Sequence, residues 1–231
     1  MSRLVWDNHG EHFYETGVSH CAYYVAQPNG TYGEGRVWNG ITSISENPTG
    51  AESTDLYADN IKYLALRSAE TYESTIEAYH RPDGFGVCDG VGGAIPGLGL
   101  GQQPRKRFGY TYQTLIGNDT LKEDYGYLLH IVYGATASPS EKSYSTVNDS
   151  PEAVTFSWEI NTTPVVLDGH KPTATVTVDS TLADQNSLAE LMDILYGTDE
   201  IAARLPSLTE VIAIMGVRPS NDLYPANDLY P

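Results

Sequence analysis

Thirty carboxylates, six histidines and two cysteines are the groups in this chain whose types could do chemistry. Their spacing decides what that chemistry would be. His9 and His12 flank Gly10 and Glu11, and His20 precedes Cys21. No strong zinc-ligand pattern has that spacing, so these read as polar surface histidines and no metal is expected. Asp55-Leu-Tyr-Ala-Asp59 lacks the glycine and the closing glutamate of a calcium loop. Glu73 and Glu77 share one face of an alternating stretch, where two carboxyls could act as an acid/base pair. In so acidic a chain such pairs arise by chance, and a solvated face is the simpler reading. Gly90–Gly101 is glycine-rich, but no Gly-Lys-Ser/Thr follows and no G-x-G-x-x-G spacing is met. It reads as a loop rather than a phosphate cradle. G-x-S-x-G, H-E-x-x-H and C-x-x-C do not occur. The residues therefore predict no enzyme and no cofactor.

Charge narrows the partners. Thirteen basic residues leave a formal net charge of -17. Such a chain gains nothing from releasing counterions on phosphate and should repel nucleic acid. The basic cluster Pro104-Arg-Lys-Arg107 reads either as an anion contact or as a set of salt-bridge partners for acidic surface, and the second is preferred. Cys21 and Cys88 suggest a reducing compartment rather than a disulfide framework. No basic-then-apolar stretch opens the chain and no apolar run reaches membrane length, so no membrane is expected.

The elements that must position these groups are mainly strands. Seventeen tyrosines, 22 glycines and 13 prolines lean toward β structure. At 231 residues one large β domain is expected. Residues 1–19 lack a period and read as an arm anchored by Trp6, Phe13 and Tyr14. Strands are predicted over Cys21–Gln27, over Gly35–Ser45 with a bulge at Gly40, and twice within Ser53–Tyr79, at Ile61–Leu66 and Thr71–Tyr79. Asp59-Asn60 reads as a turn, and Pro82–Asp89 as a single helical turn. Arg107–Ile116 is a further strand. In Tyr125–Tyr133 both faces are apolar enough to be covered. Val154–Asn161 alternates, with Val154, Phe156, Trp158 and Ile160 opposite Thr155, Ser157, Glu159 and Asn161. These two arms suggest an antiparallel hairpin. Thr173–Ser180 alternates as another strand.

One helix is clear. Leu188, Leu191, Met192 and Leu195 fall on one stripe within Asp184–Tyr196, with Asp184 as N-cap and Gly197 after the last turn. Ser207-Leu-Thr-Glu210 has the capping-box pattern and predicts a short helix through Met215, with a terminal strand as the alternative. Residues 217–231 carry Asn-Asp-Leu-Tyr-Pro twice and read as a flexible tail. The connection Gly134–Pro151 is too long for a tight turn, and long polar connections are commonly functional. It reads as a protrusion that docks outside its own domain, with Ser138, Ser140, Glu141, Lys142 and Tyr144 as the expected contacts.

The order of several segments resembles the major tail proteins of long-tailed, siphovirus-type bacteriophages. The segments are Tyr14-Glu-Thr-Gly-Val-Ser19, Val37-Trp-Asn-Gly-Ile-Thr-Ser-Ile-Ser-Glu46, Tyr57-Ala-Asp-Asn-Ile-Lys-Tyr63 and Thr75-Ile-Glu-Ala-Tyr79. Gly101-Gln-Gln-Pro-Arg-Lys106 and Tyr133-Gly-Ala-Thr-Ala-Ser-Pro-Ser-Glu-Lys-Ser-Tyr144 belong to the same pattern. The resemblance spans about Tyr14 to Met215 and leaves out the closing repeat. It implies a β-sandwich curling toward a partly closed barrel, one flanking helix and a long hairpin arm, within a single domain over 20–216. It implies hexameric rings stacked into a tail tube, with 134–151 as the stacking loop. Tape-measure and tail-terminator proteins would be partners, and genomic DNA would pass through without specific binding. The location would be the virion tail, and the host cytoplasm during assembly. An acidic lumen wall would suit transiting DNA, and Glu73 and Glu77 are the expected lumen-facing residues. The rival reading is a carbohydrate-binding or adhesin sandwich, suggested by the tyrosines and three tryptophans. A glycosidase resting on spare carboxylates is a third.

Overall fold

The computed structural model describes residues 4–50, 52–93, 95, 97–144, 146 and 153–216. Strands β1 (Phe13–Ala26), β2 (Tyr32–Val37) and β3 (Ile41–Glu46) come first. A chain of short strands follows: β4 (Thr49–Gly50), β5 (Ser53–Ala58), β6 (Ile61–Arg67), β7 (Glu70–Thr71) and β8 (Glu73–Ala78). A helical turn at Phe85–Val87 leads toward β9 (Phe108–Asn118), β10 (Lys122–Ala137), β11 (Phe156–Thr162) and β12 (Thr175–Asp179). Helices α1 (Gln185–Tyr196) and α2 (Leu208–Met215) close the described chain.

The main antiparallel sheet runs β2-β1-β9-β10-β11-β8-β3, and β12 pairs with β10 beside that path. Its two outermost strands, β2 and β3, are consecutive in sequence and joined only by Trp38, Asn39 and Gly40. Three residues bridge at most roughly 14 Å, so the sheet must curl until its edges nearly meet. The edges approach without full closure: Trp38 N–H donates to the Cys21 carbonyl at 2.8 Å and Tyr79 N–H to that of Gly40 at 2.9 Å. The expected single strand Gly35–Ser45 is thus two strands on opposite edges. Gly40 at φ 79 takes the corner, a conformation that side-chain-bearing residues resist.

Two cores follow from strand alternation. Inside the curl lie Tyr23, Trp38, Phe85, Phe108 and Trp158, with Trp38 against Phe85 at 4.4 Å and against Trp158 at 5.1 Å between ring centroids. On the outer side Tyr24, Leu129, Ile131 and Tyr133 meet Leu188, Leu191 and Leu195 of α1 and Val211 of α2. β10 serves both. Leu129, Ile131 and Tyr133 point to the helices, and Val132 points inward. Gly134, at φ 62, marks a register shift, after which odd-numbered Ala135 and Ala137 face the inner core.

Several expectations change here. Phe13–Ser19 is not part of a free arm but the first half of β1, paired with β9 from Gln113 to Asn118. Register shifts between Thr16 and Ala22, with Gly17 and His20 both at positive φ, hid the period. The polar passage begins at Ser138, because Gly134–Ala137 completes β10. β10 pairs with β11 only from Ala135 to Ala137, while β12 covers Leu128–Val132. The second helix forms, and Ser207 Oγ accepts the Glu210 amide at 3.2 Å as the capping pattern requires. α1 forms with Asp184 capping the Ser187 amide at 3.0 Å. Residues 147–152 and the repeat-bearing 217–231 lie outside the described residues.

Candidate assembly interface

β3 and β8 do not end where the sheet ends. Asn47 N–H donates to the Glu73 carbonyl at 2.8 Å, then Thr49 pairs with Thr71 and Gly50 with Glu70. Glu52 and Ser68 exchange backbone and hydroxyl hydrogen bonds at 3.1 Å, and β5 then pairs with β6. One two-stranded ribbon therefore starts inside the sheet and leaves it. Its outer part, six residues of β5, is about 20 Å long. Asp59 and Asn60, at φ 50 and 63, make the tight turn whose twist matches a hairpin.

The register sorts the ribbon into two faces. Thr54 lies opposite Leu66, Leu56 opposite Leu64, and Ala58 opposite Ile61, so one face is apolar. Asp55, Tyr57, Lys62 and Arg67 occupy the other, where Lys62 Nζ pairs with Asp55 Oδ1 at 2.7 Å. Tyr63 sits at the irregularity between the pairs. Every residue of β5 and β6 is exposed, including Leu66 at 54% and Ile61 at 64%. A two-stranded hairpin is marginal in water, and burying a leucine or isoleucine contributes about 1.5–3 kcal/mol. An amphipathic ribbon with nothing on its apolar side is half of a packed layer. Among the described residues nothing covers it.

The arm that follows β10 behaves differently. Ser138 N–H donates to the Glu159 carbonyl at 2.7 Å, and Ser138 Oγ accepts from Asn161 Nδ2 at 2.6 Å. Ser140 Oγ accepts the Glu159 amide at 3.1 Å. Lys142 Nζ reaches the Asp89 carboxylate at 2.6 Å, where Asp89 is only 3% exposed and Arg105 and Arg81 stand at 3.6 and 3.9 Å. Arg105 of the Pro104–Arg107 cluster thus faces an acid of its own domain, buried Asp89 rather than acidic surface. Glu141 and Tyr144 are the expected contacts that stay exposed, Tyr144 with its ring 5.9 Å from Phe156. Residues 138–144 are tied back on their own domain rather than held out from it.

Glu73 and Glu77 project from the outer face of β8, since Ser74, Ile76 and Ala78, which alternate with Glu73, Thr75 and Glu77, are buried. Their neighbours across the ladder are Asn161, Glu159 and Ser157 on β11 and Ser45 and Ser43 on β3. Thr49 Oγ1 donates to Glu73 at 3.2 Å and Ser43 Oγ to Glu77 at 2.8 Å. The resulting face holds three carboxylates, hydroxyls and one amide, and no lysine or arginine. Four strand positions separate the Glu73 and Glu77 Cα atoms by about 13 Å, with Glu159 on the neighbouring strand between them. As a surface this face repels phosphate.

The histidines near the N-terminus serve structure. Asp119 accepts the Gly10 amide at 3.0 Å and lies 3.2 Å from His9 and 3.3 Å from His12. The Gly10 amide, and then His12, hold its carboxyl below the usual range. Among the described residues no group of three or more His, Cys, Asp and Glu is arranged to hold a metal. Cys21 and Cys88 are buried and free, and burial pushes both thiols up to about 12. Among the described residues no helix is long and apolar enough to cross a membrane. No protein-family model and no curated protein matches the chain.

The sequence expectation set the docking element in 134–151 and read Ile61–Leu66 as a strand after an Asp59-Asn60 turn, without pairing it into a ribbon. Leu56, Leu64 and Leu66 alternate with Asp55 and Arg67 around a two-residue turn, which is the hairpin pattern.

Proposed function

We propose that this protein is a structural subunit that polymerises through its β5–β6 ribbon into stacked rings. The segment order resembles major tail proteins of long-tailed phages, so the product would be a hexameric-ring tail tube through which DNA passes. The observation that carries the reading is the ribbon's uncovered apolar face. The cation-free face of Glu73, Glu77 and Glu159 supports it, because a lumen of that character gives passing phosphates no sticking point. Glu141 and Tyr144 would add a lesser contact between rings. The adhesin reading draws less support. A glycan platform needs a concave set of exposed rings; Trp38 and Trp158 are 2% and 0% exposed, and the open rings of Trp6, Tyr57, Tyr63 and Tyr144 are spread over the N-terminal segment, the ribbon and the arm.

Negative-stain microscopy with sedimentation velocity tests this directly. Concentrated wild-type protein should form rings or tubes, and Leu64→Glu should remain a folded monomer. Wild-type protein that stays monomeric at every concentration, with soluble glycans binding to it, would sink the reading.

A further inference from the structure

One motif and one cavity of this chain have no part in the ribbon. The motif is Asn-Asp-Leu-Tyr-Pro, written twice, at 221–225 and 227–231. The cavity, of about 330 Å³, opens between the His80–Gly84 turn, Lys142 and Tyr144 of the arm, and Phe156 and Trp158 of β11. It lies where the interior of the curl meets solvent, since Trp158 belongs to the inner core and Phe156 packs against it. The mouth of a curled sheet is a common place for a binding site.

The cavity has an aromatic half and a cationic half. The rings of Tyr144 and Phe156 stand edge to face at 5.9 Å. Asp89 engages Lys142 at 2.6 Å and Arg105 at 3.6 Å, while Arg81 stands off at 3.9 Å with 40% of its side chain exposed. Arg81 is therefore the cation open to a ligand. Arg36 reaches the same turn and donates to the Asp83 carbonyl at 3.5 Å rather than to a carboxylate. Asp83 is the one acid in the lining. Trp158 is fully buried, and its indole N–H has no acceptor among the described residues. A buried donor left open calls for an oxygen from outside.

An occupant must carry an acid beside an apolar, aromatic body. The repeat does so twice: Asp222 precedes Leu-Tyr-Pro, Asp228 does the same, and no lysine or arginine follows Arg218. Aromatic-lined grooves take extended proline-bearing segments, and arginines take acidic motifs. Six residues lead from Gly216 to Asp222 and twelve to Asp228, spans of up to roughly 20 and 40 Å. The β5–β6 ribbon is the poorer occupant, because its Asp55 already pairs with Lys62 on the face away from its leucines.

We propose that the cavity between the His80–Gly84 turn and the arm is the docking site for an Asn-Asp-Leu-Tyr-Pro motif of this chain's own 221–231 segment. The aspartate would meet Arg81, the tyrosine and proline would lie on Tyr144 and Phe156, and a backbone carbonyl would accept the Trp158 N–H. The site is independent of the assembly reading, because the motif can come from the same copy or from another.

The test uses cysteine pairing in the full chain, in which Cys21 and Cys88 are buried. His80→Cys, on the exposed rim of the cavity, is combined with Leu223→Cys or with Leu229→Cys. Leu182→Cys, exposed beside α2, is combined with the same two as the control. At least one His80→Cys combination should oxidise more than about tenfold faster than its control, within one copy or between two. Replacing Asp222 and Asp228 by Asn should slow that pairing roughly tenfold, the weight of one charged hydrogen bond, at an unchanged melting temperature. The proposal is overturned if the tail cysteines pair with Leu182→Cys as fast as with His80→Cys. It is equally overturned if the Asn substitutions leave the pairing rate unchanged.

Discussion

Two segments leave the sheet, and they differ in what they do with their side chains. The ribbon over 53–67 keeps its backbone paired and leaves its leucines bare. The arm from Ser138 to Tyr144 spends its polar groups on β11 and on buried Asp89. Backbone pairing within a hairpin makes the ribbon self-sufficient in hydrogen bonds but not in burial. The arm has the reverse problem: without a partner strand of its own, its backbone and hydroxyls must borrow hydrogen-bond partners from the domain. Length and polarity drew attention to the arm. Uncovered apolar area is the better sign of a partner, because soluble monomers rarely leave such faces contiguous.

The largest contrast should come from removing each segment. Joining Glu52 to Ser68 through a two-glycine turn should leave the fold intact, since those residues already meet across the ribbon, and should abolish polymerisation seen by microscopy. Deleting Glu141–Asn148 should reduce polymerisation only partly and should cost stability, because it removes Lys142 from Asp89. Equal losses of assembly from the two deletions would erase the distinction.

A smaller effect isolates the tether. Lys142→Ala withdraws a charged hydrogen-bond donor from a carboxylate that keeps Arg105 and Arg81 nearby. The expected cost is about 1–2 kcal/mol, read as a lower urea midpoint at unchanged slope. The matching substitution in the ribbon, Lys62→Ala, breaks an exposed pair with Asp55 and should leave the subunit's midpoint unchanged. A Lys62→Ala loss as large as that of Lys142→Ala would show that the ribbon packs on its own body.

Below these in size is a pH effect confined to the sheet. His130 stacks on Tyr112 at 4.4 Å and contacts Thr114 Oγ1 at 3.0 Å. Burial lowers its pKa below the ordinary 6.5, with the Glu46 charge opposing. The folded state therefore favours neutral imidazole. Its contribution is present above pH 6.5 and is lost as pH falls through that value toward the depressed folded one. His130→Gln should flatten the acid side of the stability curve just below about pH 6.5, measured by thermal melts. The smallest change should follow Asp119→Asn, which frees Gly10 and the histidine-bearing segment without touching either core; hydrogen exchange at the amides before β1 should rise and the melting temperature should stay.

The amino-acid sequence by itself determined whatever depends on neighbours in the chain. α1 carries its cap, its stripe and its terminating glycine within thirteen residues of Asp184, so it could be read whole. The wet and dry faces of β8 and β11 were equally legible, because alternation is a local property and each strand shows both faces at once. The Asp59-Asn60 turn announced itself for the same reason. What only the tertiary structure decided is which dry faces find a cover. Alternation in 53–67 resembles alternation in 73–78, yet Ile76 is buried and Ile61 lies open, since covering depends on strands far away in sequence. The division at Trp38–Gly40 was likewise invisible. It exists because the sheet curls until two edges meet, and a three-residue corner between them looks, in sequence, like a bulge in one strand.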